Sequence, residues 1–85
     1  MAFLILTRPG LDTLTEQLGR IPPNLWVNKS VLTDAELQTY RVKGISITNF
    51  TYDIPLNDHA AINDVVETIS EHHPNEAVYV EWSNC

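Results

Sequence analysis

Eighty-five residues suffice for one core but not for a linker and a second, so one domain over residues 1–85 is expected. A hydrophobic content of 44% excludes a disordered chain. Eleven acidic residues against five basic ones give a net charge of −6, and the basic residues Arg8, Arg20, Lys29, Arg41 and Lys43 are scattered. Nucleic-acid binding and docking on an anionic membrane both need a basic face, and the scatter supplies none.

Phe3–Leu6 is an unbroken apolar run, the pattern of a strand covered on both faces. Pro9 and Gly10 then turn the chain, and Leu11, Leu14 and Leu18, at helical spacing, predict a first helix that Gly19 closes. Pro22-Pro23 forbids continuation and delivers the chain to a second short strand, Leu25–Val27. Thr33 followed by Glu36 is a capping box that opens a second helix, with Leu37 and Tyr40 on its buried side and Gly44 at its end. From Ile45 to Tyr52 the period is two, predicting a half-buried strand. Asn57 or Asp58 caps a third helix with a core stripe of Ile62, Val65, Val66 and Ile69, and Pro74-Asn75 stops it. Ala77–Trp82 alternates again as the last strand.

The order βαβαβαβ predicts an α/β fold with a four-stranded, mainly parallel sheet and helices on both faces. Unalternating strands belong in the middle and alternating ones at the edges. With right-handed crossovers this favours the strand order 3-2-1-4, or 2-1-3-4, with the first two helices on one face and the third on the other.

Strong catalytic and cofactor motifs are missing: no phosphate-binding glycine loop, no nucleophile elbow, no metal-spaced cysteine pair. No cofactor and no metal is expected. Cys85, the one cysteine, allows no internal disulfide. Met1–Leu6 is too short an apolar run for a secretory signal or a membrane span, so a cytoplasmic location is expected. By the same reasoning the sequon-like triplets at Asn28 and Asn49 are read as coincidence.

Parallel sheets gather ligands at the carboxyl ends of their strands. There Arg8 and Lys29, with helix amides after Gly10, form a candidate site for a phosphate or carboxylate, and Asp53 is positioned as a base. Pairing of Arg8 with Asp53 or Glu81 is the competing structural role. His72-His73 complements the negative end of the third helix. Tyr79 and Trp82, on an edge strand that no proline interrupts, are the candidate partner-binding residues. The functional expectation is a small acidic protein-binding or regulatory protein that binds another protein or a second copy of itself through an edge strand. The alternatives are an anion-binding domain or small enzyme at the strand ends, and a mimic of nucleic-acid charge directed at a basic partner.

Overall fold

In a computed structural model, which describes residues 1–81, the elements alternate as β1 (Ala2–Ile5), α1 (Arg8–Leu18), β2 (Leu25–Val27), α2 (Asp34–Val42), β3 (Ile47–Asn49), α3 (His59–His72) and β4 (Val78–Val80). All strand pairs are parallel and the sheet order is β3-β2-β1-β4. Of the two strand orders expected, this is the first. It follows from burial: every residue of β1 and β2 is buried, so each needs a neighbour on both sides.

Side chains alternate across the pleat and build two cores. Phe3, Ile5, Leu25, Val27 and Ile47 meet Leu11 and Leu14 of α1 and Leu37 of α2. On the other face Ala2, Leu4, Trp26 and Phe50 meet Ile62, Val65 and Ile69 of α3. Ile62 and Ile69 are fully buried, and each contributes about 1.5–3 kcal/mol of transfer free energy. α3 is thus the one helix packed on its face. Its exposed side carries Asp64, Glu67 and Glu71. Every Lys and Arg of the chain precedes Gly44, and seven acidic residues follow it.

Two expectations need correction. The third strand is shorter than the alternation of Ile45–Tyr52 suggests, because β2 offers only three residues to pair with; Phe50 N–H donates the last rung to Val27 O, and the chain leaves the sheet. The first helix starts before Gly10 rather than after it. Thr7 is its cap, accepting from Gly10 N–H, and Pro9 fits the first turn, where its missing N–H costs nothing.

The remaining helix ends follow the sequence signals. Thr33 and Glu36 form the reciprocal capping box, and Asp58 caps α3 by accepting from Ala61 N–H. α2 closes in a Schellman motif: Gly44 N–H donates to Arg41 O and Ile45 N–H to Tyr40 O, with Gly44 left-handed at φ 84°.

Candidate functional site

The carboxyl ends of β1 and β2 and the loop after β3 enclose an open hollow of about 360 Å³. Arg8, Lys29 and Asp53 all line it, so three of the four candidate ligand residues share one mouth. Gly10 lies elsewhere. It faces the Glu81 carboxylate closely enough that a Cβ on residue 10 would collide with that group.

Apart from Lys29, the donors at this mouth are engaged by the protein's own carboxylates. Glu81, just past β4, accepts from Leu6 N–H at 2.8 Å, from Thr7 N–H at 2.9 Å and from the Thr7 hydroxyl. The anion cradle at the start of α1 therefore holds an internal anion. Arg8 donates from Nη1 to both oxygens of Glu36, at 2.9 and 2.7 Å, and from Nε to Asp12 at 3.1 Å. Its partners are thus Glu36 and Asp12 rather than Asp53 or Glu81. The Thr33 backbone N–H, and next to it Arg8, hold the Glu36 carboxyl below its ordinary pKa; the same Glu36 bond raises that of Arg8. Lys29 is the one lysine or arginine lining this hollow that makes no ion pair among the described residues.

Asn28 is the buried polar residue here, and it is structural. Its Nδ2 donates to Leu6 O at 3.3 Å and Ile54 O at 3.0 Å, while Oδ1 accepts from Ile54 N–H at 2.8 Å and Lys29 N–H at 2.9 Å. One side chain ties the end of β1, the end of β2 and the loop leading to α3. Ser30, two residues on, sits at φ 69°, a left-handed conformation that costs a non-glycine residue about 1–2 kcal/mol.

The histidines pack. The His72 and His73 rings lie 5.6 and 6.0 Å from Trp26, and His73 Nδ1 is 2.8 Å from Glu76. The Met1 ammonium donates to the same carboxylate at 2.8 Å, and this bond leads the groups that lower the Glu76 pKa. Among the described residues no three His, Cys, Asp or Glu side chains gather as a metal site would require, and no helix is long and apolar enough to cross a membrane.

The two edges of the sheet differ. At β3, Leu25 N–H donates to Ser46 O and Phe50 N–H to Val27 O, so by alternation the groups of Ile47 point outward. Arg41 Nη2 donates to that outward Ile47 carbonyl at 3.2 Å and so engages one of the outward groups of this edge. At β4, Ala77 O and Glu81 N–H bond to β1, so the N–H and C=O groups of Val78 and Val80 point away from the sheet. They have no partner among the described residues. Tyr79 lies between them, 41% exposed, with its ring 5.7 Å from that of Phe3. Trp82, the other candidate partner residue, lies outside the described residues.

A second hollow, of about 470 Å³, opens at the amino ends of β2 and β3, where α1 and α2 finish. Arg20, Tyr40 and Lys43 line it: two cations that stand scattered in the sequence and a tyrosine of the buried stripe of α2. Their signal was positional. Arg20 follows Gly19 and Lys43 precedes Gly44, so both cations sit where helices stop, at the same end of the sheet. Comparison of the chain with protein families, with characterised proteins and with solved structures returned no match.

Proposed function

We propose that the protein acts by binding another polypeptide, which adds as a fifth strand along β4 and seats a side chain against Tyr79. One observation carries this reading: on the β3 edge Arg41 donates to Ile47 O, whereas among the described residues no side chain or backbone group bonds the outward N–H and C=O groups of Val78 and Val80. An uncapped edge is a template for main-chain hydrogen bonding, and an exposed aromatic beside it adds selectivity. The anion-binding reading of the strand carboxyl ends draws less support, since Glu36, Asp12 and Glu81 already occupy the donors it would use other than Lys29.

Val80→Pro separates the strand-addition surface from the fold. The Val80 N–H faces outward, so proline there removes no rung of the ladder to β1. Peptides selected from a displayed library on the wild-type protein should lose binding to Val80→Pro and weaken on Tyr79→Ser, while the amide spectrum of each variant stays folded. Equal binding to Val80→Pro, or selection of peptides that shift only amides away from β4, would sink the proposal. A sedimentation dimer that Val80→Pro dissolves would make the partner a second copy of this chain.

A further inference from the structure

We propose that the hollow at the amino ends of β2 and β3 is a binding site for a small aromatic carboxylate, separate from the β4 edge. Its volume of about 470 Å³ lies within the range of about 300–1,000 Å³ typical of small-molecule sites. The lining divides into two chemistries. Ile21, Pro23, Tyr40 and Ile45 form an apolar and aromatic wall, and Arg20 and Lys43 stand at it as cations.

Those cations are what distinguish this end of the molecule. Arg8 is neutralised by Glu36 and Asp12, and Arg41 donates to Ile47 O. Among the described residues, Arg20, Lys29 and Lys43 have no carboxylate partner, and two of those three meet in this one hollow. That is against the trend of a chain with net charge −6. Part of their charge offsets the helix ends beside them. The carbonyl ends of α1 and α2 each present about −0.5 of a charge, so roughly one positive charge remains between Arg20 and Lys43. A monoanion matches that remainder. A planar carboxylate also suits the guanidinium fork, and a ring attached to it would lie on Tyr40 and the two isoleucines.

The backbone around the hollow turns sharply at two positions. Asn24 at φ 49° and Gly44 at φ 84° both line it in left-handed conformations. The Schellman turn that places Gly44 also packs Ile45 and Tyr40 against the first core, which fixes the apolar wall. Ligands of open parallel sheets gather at the opposite, carboxyl end. Here that end is largely occupied by internal carboxylates and keeps Lys29 alone without a carboxylate partner among the described residues, whereas two such cations meet at the other.

The test is a titration of the full chain, followed by amide NMR, with 2-naphthoate, with the neutral 2-naphthalenemethanol and with acetate. The expected result is saturable shifting at Ile21, Asn24, Gly44 and Ile45 by 2-naphthoate, with the alcohol and acetate each weaker by about tenfold or more. In the double variant Arg20→Gln/Lys43→Gln, naphthoate should weaken by about tenfold while the alcohol binds as before. Both side chains are exposed, so the variant's spectrum should stay dispersed elsewhere. Equal binding of naphthoate and the alcohol would overturn the proposal, as would unchanged naphthoate affinity in the double variant. Absence of saturable shifts at millimolar naphthoate would overturn it too. Val80→Pro should leave this titration unaltered, so failure at β4 and failure here are told apart.

Discussion

Asn28→Ala is the substitution through which the structure commits itself most sharply. The Asn28 side chain is 5% exposed as a residue and makes three buried hydrogen bonds, to Leu6 O, Ile54 O and Ile54 N–H, besides a partly buried one from Lys29 N–H. Alanine deletes all four and leaves the buried backbone groups without partners. At about 1 kcal/mol for each buried bond, with some excess for the desolvated groups left behind, the expected loss is about 3–4 kcal/mol. An 85-residue chain has a total stability of about 4–13 kcal/mol, so the loss is a large share of the whole. In thermal melts followed by circular dichroism it appears as a fall of about 12–24 °C in Tm for a loss of about 3 kcal/mol. Asn28→Asp keeps the acceptor oxygen but replaces the donor with a charge facing two carbonyls, and should cost at least as much at neutral pH. A loss under about 1 kcal/mol for Asn28→Ala, or wild-type stability for Asn28→Asp, would refute the reading of Asn28 as a staple.

Gly10→Ala should destabilise by about 1–3 kcal/mol, because the new Cβ displaces the Glu81 carboxylate from Leu6 and Thr7. In a Glu81→Ala background the same change should be neutral or slightly stabilising, since alanine favours the helix; additive effects in urea unfolding would exclude the contact. Glu36 and Glu76 both hold lowered pKa values against an ordinary 4.5, so the folded state binds fewer protons than the unfolded chain on acidification. The stability they contribute is therefore present above about pH 4.5 and is withdrawn as pH falls through the lowered values. Glu36→Gln should flatten the dependence of unfolding free energy on pH in that acid range, and an unchanged slope would count against the Arg8–Glu36–Thr33 linkage.

Much of the architecture was readable because the signals are local. Unalternating Phe3–Leu6 and Leu25–Val27 mark the doubly covered strands, and the Thr33–Glu36 box and Gly44 mark the limits of α2 within a few residues. The stripe Ile62, Val65 and Ile69 marks the face of α3 that is buried. The site was less legible because its determining bonds span the chain. Glu81 reaches Thr7 across 74 positions, and Arg8 reaches Glu36 across 28, which no spacing rule encodes. Asn28 looked like part of a chance sequon, since nothing local shows that the loop at Ile54 folds over it. Arg20 and Lys43 lie at the amino ends of the strands, opposite to where parallel sheets gather ligands, although each adjoins a helix-stopping glycine.

The solitary packing of α3 has an electrical consequence. Residues after Gly44 carry seven acids and no lysine or arginine, while those up to it carry four acids and five bases. The molecule's whole excess of negative charge therefore belongs to the half of the chain that supplies α3. Set near a cationic surface, such as an anion-exchange bead, the protein should orient rather than tumble at random, laying α3 down and turning α1 and α2 outward. Adsorption of that kind would leave the Arg20 and Lys43 hollow facing solution, and added salt would erase the preference within about a Debye length.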